Sequence, residues 1–253
     1  MALVKLVTVH PALGTRPGGA LRSVALAIDA TNGETIGLID GHALTTRRTA
    51  ATSVLAARAL ARPDASRLTI VGAGAVAAAL AEAYAASFPL TGIAVWARRA
   101  EAAEALAAQL RDKGLPARAD ADLDAAISDA EIIATATLST EPLLTPAMVR
   151  DGAHLDLIGG YTAAMREAEP RLTASAAIVV DSSAALDAGD LAAPIADGLI
   201  DPAGIITLSQ LLRGDRVPSP DRRITLFKSV GLAIEDLAAA EMVVAGWRRA
   251  GAA

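Results

Sequence analysis

Residues 3–9 (Leu-Val-Lys-Leu-Val-Thr-Val) carry the apolar, β-branched pattern of a strand, and residues 11–19 have the Pro and Gly punctuation of a loop. Residues 22–29 and 35–40 alternate in hydrophobicity on either side of Thr31-Asn32-Gly33-Glu34, which predicts a hairpin. An antiparallel sheet therefore opens the chain. Residues 45–62 change to a helical period built from good helix formers, and Pro63-Asp64 ends it. That proline is the first predicted domain boundary.

Beyond it, strand and helix patterns take turns. Residues 67–71 form an apolar strand that runs into Gly72-Ala73-Gly74, and residues 75–87 form an almost wholly apolar helix. Residues 92–97 predict a strand, 100–113 a helix, 117–119 a short strand and 123–127 a short helix. Strand patterns return at 131–137, 154–158 and 177–181, with a helical segment at 146–150. Alternation of this kind predicts an α/β fold: a doubly wound, Rossmann-type parallel sheet with helices on both faces. Near the end, 224–227 reads as a strand and 232–249 as an amphipathic helix.

Composition narrows the chemistry. Hydrophobic residues make up 53% of the 253 positions but aromatics only 2%, so Ala, Val, Leu and Ile must fill the core. With 23 basic and 28 acidic residues and no run of Lys or Arg, the chain lacks the basic stripe that nucleic acid requires. The absence of cysteine excludes disulfides, thiolate zinc sites and a thiol nucleophile, and three scattered histidines make a metal centre improbable. No stretch reaches the roughly eighteen consecutive apolar residues of a membrane span, and the start lacks the basic flank of a signal peptide. These features predict a soluble, cytoplasmic protein.

The sharpest local signal is Gly72-Ala73-Gly74-Ala75-Val76-Ala77, a GxGxxA that follows a strand and opens a helix. Glycine at Gly72 and Gly74 permits a tight turn and close approach of a pyrophosphate to the helix N–H groups, and Ala77 packs helix on strand. The plainer alternative is an ordinary strand-to-helix turn. The next strand ends Trp96-Ala97-Arg98-Arg99, with no carboxylate where a site for NAD(H) would place one on the ribose hydroxyls. Arg98 and Arg99 suit a 2′-phosphate, which favours NADP(H) over NAD(H). Otherwise they are a basic helix start facing solvent. Two further strand ends, Ala134-Thr135-Ala136-Thr137 and Ile158-Gly159-Gly160-Tyr161, would lie along the same ligand-binding edge.

Several separated segments together resemble the ornithine cyclodeaminase/μ-crystallin family. They are Lys5-Leu-Val-Thr-Val9, Leu38-Ile-Asp-Gly41, residues 44–53 (Leu-Thr-Thr-Arg-Arg-Thr-Ala-Ala-Thr-Ser), the GxGxxA loop, Met165-Arg-Glu167, Ala188-Gly-Asp190, Thr225-Leu-Phe-Lys-Ser-Val-Gly231 and Glu235-Asp236. The resemblance implies a Rossmann domain (64–224) inserted in a smaller α/β substrate and dimerisation domain (1–63 plus 225–253). It also implies a homodimer acting on a small cyclic imino acid or amino acid. Family members usually carry a further segment ahead of the position of Lys5, which supplies strands and another arginine.

Carried over by position, Lys5 and Arg48 match the residues that hold the substrate carboxylate, and they are the candidate catalytic pair. Lys5, or a water held by it, is the candidate proton carrier. Val230 and Gly231 fall beside the substrate. Ala75, Val76, Arg98, Thr135, Thr137 and Ser229 fall where the family contacts its dinucleotide. In cyclodeaminases an aspartate follows the Gly-Gly, whereas this chain has Tyr161. A phenol of pKa about 10 is a poor base for activating an amine, and imine reduction needs no such base. The pattern is similar to the Δ1-pyrroline-2-carboxylate (ketimine) reductase subgroup. Ornithine cyclodeamination and non-catalytic, crystallin-like binding of NADP or a small ligand are the alternatives.

Overall fold

The computed structural model describes residues 1–10, 21–219 and 223–251, so the loop expected at 11–19 lies outside the described residues. The chain divides into two compact units, Met1–Thr52 with Gly231–Ala253, and Ser53–Val230.

In the first unit, β1 (Ala2–Val9), β2 (Leu21–Ile28) and β3 (Thr35–Asp40) form an antiparallel sheet in that order. Register pairs Lys5 with Ala25 and Ala25 with Ile39, so strand alternation puts all three on one face. Ala25 packs there with Leu3, Ile39, Leu44 and Ala240. The opposite face carries Val4, Leu6, Val24 and Leu38, all exposed. Helix α1 (Gly41–Leu60) begins four residues before its apolar period does. Asp40 Oδ1 caps it by accepting the backbone N–H of His42 and Ala43. Gly41 is required there because a Cβ would lie 2.6 Å from the Ser23 carbonyl carbon.

The second unit holds an eight-stranded sheet, paired in parallel throughout. Its strands are β4 (Arg67–Val71), β5 (Gly92–Trp96), β6 (Ala117–Ala119), β7 (Ile132–Thr135), β8 (His154–Leu157), β9 (Ala176–Val180), β10 (Ile206–Thr207) and β11 (Ile224–Lys228). The order is β10-β9-β11-β8-β7-β4-β5-β6, so the chain reverses direction across the sheet between β4 and β7. Ligands of open α/β sheets bind at such a switch point, outside the carboxyl ends of the strands. Helices α2 (Ala75–Ala85) and α3 (Ala100–Asp112) connect the strands on one side of that point. Ala103, Leu106, Ala107 and Leu110 recur at helical spacing as the buried stripe of α3, small residues allowing a close approach to the sheet.

Residues 225–228 lie in β11, between β8 and β9 in the second unit's sheet, where Leu226 and Phe227 are wholly buried. The two compact units divide inside α1, at Thr52/Ser53. Residues 146–150, expected as a helical segment, form a turn, and α5 (Pro170–Ser175), α6 (Gly189–Ala196) and α7 (Leu208–Arg213) are helices that hydrophobic period did not reveal. Residues 123–127 do form the short α4. The chain closes on α8 (Ala233–Arg249), which packs against β1 in the first unit. No helix among the described residues is long and apolar enough to cross a membrane.

Candidate active site

The loop after β4 is shaped as a cradle. Gly72 has φ +125°, and a Cβ there would stand 2.6 Å from the Ala136 carbonyl oxygen, so only glycine fits between β4 and the end of β7. Its N–H donates to the Trp96 carbonyl. Gly74 caps α2 without a side-chain acceptor, and a Cβ there would meet nothing within 4 Å. Gly74 and Ala75 are exposed and Val76 is half-buried. The first turn of α2 therefore offers free N–H donors to open space, an arrangement suited to a pyrophosphate. Arg98 and Arg99, at the end of β5 and the start of α3, are exposed and make no side-chain hydrogen bond or ion pair among the described residues. Their charge is available to an anionic ligand.

The neighbouring strand ends are tied together by a wholly buried carboxylate. Glu167 Oε1 accepts from the Thr137 N–H (2.8 Å) and hydroxyl (2.7 Å), and Oε2 from the Thr135 hydroxyl (2.7 Å) and the Gly159 N–H (2.8 Å). Burial pushes its pKa up, while the nearby Lys228 ammonium pulls it down. Asp190 in turn accepts from the N–H of Glu167 and Ala168 and pairs with Lys228 Nζ at 3.0 Å, both side chains fully buried. Thr135 is fully buried and gives its hydroxyl to Glu167, so it lies beneath the edge and Thr137 lies on it. Ser229 is buried too, donating to Asp181 Oδ2, which also accepts the Val230 N–H. Tyr161 follows Gly160 with its side chain exposed.

In the first unit Lys5 and Arg48 meet. Lys5 Nζ lies 2.5 Å from Asp236 Oδ2 and 3.3 Å from the Thr45 hydroxyl, and Arg48 Nε lies 3.1 Å from Asp236 Oδ1. One carboxylate at the start of α8 thus bridges the two cations. Arg48 Nη1 donates to Glu235 at 2.8 Å. Alternation on β1 turns Lys5 inward, and the three-residue spacing of Thr45 and Arg48 puts both on one side of α1. Gly231, at φ +88°, is the close neighbour of the guanidinium. The cluster holds two cations and two carboxylates.

Reading the sequence alone gave no role to Glu167, Asp190, Lys228, Asp181 or Asp236. The signal was present in Met165-Arg-Glu167, Ala188-Gly-Asp190 and the lysine inside Leu226-Phe227-Lys228, charged residues set among apolar ones where burial demands a partner.

The family model of the ornithine cyclodeaminase/mu-crystallin family matches residues 1–251. Δ1-pyrroline-2-carboxylate reductase of Paracoccus denitrificans is 39% identical over 244 residues, covering 94% of this chain and 77% of that protein. The mouse ketimine reductase mu-crystallin is 31% identical over 245 residues, covering 96% of this chain and 75% of that protein. Among solved structures, Δ1-pyrroline-2-carboxylate reductase of Thermococcus litoralis in complex with NADH and L-proline superposes with a TM-score of 0.92. It is 29% identical and covers 98% of this chain and 79% of that one.

Proposed function

This chain belongs to the ornithine cyclodeaminase/mu-crystallin family, and from that premise we propose that it is a nicotinamide-dependent ketimine reductase. Its substrates are Δ1-pyrroline-2-carboxylate and the six-membered homologue, and its products L-proline and L-pipecolate. The observation that carries the reading is that a chain with an open glycine cradle has Tyr161, and no carboxylate, after Gly159-Gly160. Cyclising deamination needs a positioned base at the amine; reduction needs a polarised C=N bond and a hydride source.

When bound, a reduced nicotinamide supplies the hydride. The residues of this chain bind and orient. Gly72, Gly74, Ala75 and Val76 receive the pyrophosphate, and Thr137 lines the edge beyond it. Arg48 and Lys5 hold the substrate carboxylate, with Val230 and Gly231 beside the ring. Asp236 keeps the two cations together, so the site is assembled before substrate arrives and little orientation remains to be fixed. Lys5, or a water on it, gives the imine nitrogen its proton.

The free guanidinium groups of Arg98 and Arg99 support NADPH over NADH, through charge-assisted contacts to a 2′-phosphate. The outward apolar face of β1–β3 supports a homodimer. The test is product formation: incubation with Δ1-pyrroline-2-carboxylate and NADPH should yield L-proline in step with NADPH consumed. Ammonia release from L-ornithine would favour the deaminase. Tight NADPH binding without turnover of either cyclic imine would favour a binding protein.

A further inference from the structure

We infer that Glu167 is a positioning residue that sets the dinucleotide-binding edge of the sheet by clamping the ends of β7 and β8. The inference rests on the reading that a dinucleotide binds there. Each Glu167 oxygen accepts one backbone N–H, from Thr137 on one side and Gly159 on the other, and one threonine hydroxyl. These two N–H groups belong to residues just beyond adjacent parallel strands, where no ladder partner continues. One carboxylate therefore replaces the missing ladder bonds and fixes the gap between the strands.

The surroundings leave the clamp little freedom. A Cβ on Gly159 would fall 1.9 Å from the Thr137 carbonyl oxygen and 2.4 Å from Glu167 Oε1, so the two strand ends are in contact. Glu167 is held from behind, since Asp190 accepts its N–H at 2.7 Å and is itself neutralised by Lys228. The end of β7 also abuts Gly72, where a Cβ would stand 2.6 Å from the Ala136 carbonyl oxygen and 3.6 Å from Thr137 Cγ2. A shift of the β7 end thus passes directly into the glycine cradle.

The chemistry of the clamp distinguishes a carboxylate from an amide. A hydroxyl can rotate to accept from an amide NH2, but a backbone N–H cannot, and both oxygens face one. Whichever way a glutamine at 167 is turned, its NH2 opposes a backbone N–H. The strand ends must then part.

The experiment is titration of Glu167→Gln with NADPH, followed by cofactor fluorescence, alongside melting temperature and steady-state constants. NADPH affinity should fall at least tenfold in the folded variant, with KM for NADPH raised and KM for the imine unchanged. Thr135→Val, which removes one wholly buried hydroxyl donor to Glu167, should weaken NADPH binding several-fold and decides the matter where Glu167→Gln does not fold. A melting temperature lowered with NADPH affinity intact, in Glu167→Gln or in Thr135→Val, overturns the inference and leaves a purely structural brace. Wild-type protein that binds neither NADPH nor NADH overturns the dinucleotide reading itself.

Discussion

The Arg48 guanidinium lies against Gly231 so closely that a Cβ there would stand 2.5 Å from Nη2 and 2.9 Å from Cζ. Gly231 also has φ +88°, which any L side chain resists. Gly231→Ala should therefore push Arg48 off its pairing with Glu235 and Asp236, lowering kcat/KM for the imine about tenfold or more, the worth of one charge-assisted hydrogen bond. NADPH affinity should be unchanged. Parallel kinetics and fluorescence titration check this, and full retention of kcat/KM would contradict the role given to Arg48.

Arg98 and Arg99 are exposed and make no side-chain hydrogen bond or ion pair among the described residues, so replacing both with alanine removes little from the fold. The double variant should lose about tenfold or more in NADPH affinity while NADH affinity stays within twofold, since only the former has a 2′-phosphate to lose contact with. Equal losses for both dinucleotides would remove the basis for the proposed preference for NADPH.

His154 and Asp156 occupy one face of β8, both wholly buried, and they titrate in opposite senses. Burial lowers the His154 pKa to about 3 and raises that of Asp156 to about 7. Asp156 Oδ2 accepts from the Tyr84 hydroxyl at 2.9 Å. As pH rises from 3.8 toward 7 the unfolded chain releases the Asp156 proton and the folded chain keeps it, so this group's contribution to stability declines across that window. For His154 the sign is reversed: below 6.5 the unfolded chain takes up a proton that the folded chain refuses, and stability falls as pH falls toward 3. Asp156→Asn removes the first effect. Its stability relative to wild type should climb between pH 4 and 7 and then level off, as read from denaturant midpoints; a flat difference would contradict a protonated Asp156.

The buried pair of Lys228 and Asp190 yields a coupling test. Lys228→Met leaves Asp190 as an uncompensated buried carboxylate and should destabilise by about 3–5 kcal/mol. Adding Asp190→Asn keeps an oxygen for the N–H groups of Glu167 and Ala168 while removing the charge, and should recover much of the loss. Additive losses in the double variant would mean that the two side chains do not interact.

Much of this architecture is legible in the residues. Strand alternation on β2 and β3, the apolar runs of β4 and β5 and the GxGxxA turn announce their elements because local pattern and tertiary burial agree there. α6 is hidden because Pro194 breaks its pattern, and β10 because two residues carry no period. The domain division is hidden for a different reason: α1 is one continuous helix, so no loop or proline marks a change at Thr52. Gly72, Arg48 and Lys5 were recognisable from motif and resemblance. The buried partners that hold the strand ends, Glu167, Asp190 and Lys228, come from three distant segments, and only folding shows which carboxylate meets which donor.

The most direct test of the central claim is the kcat/KM for Δ1-pyrroline-2-carboxylate with NADPH, measured for wild type and Arg48→Ala beside the NADPH affinity of each. Wild type should form L-proline, and Arg48→Ala should lose about a hundredfold in kcat/KM, equivalent to about 3 kcal/mol, while binding NADPH as tightly as wild type. An inert wild type that binds NADPH, or an Arg48→Ala variant as active as wild type, would contradict it.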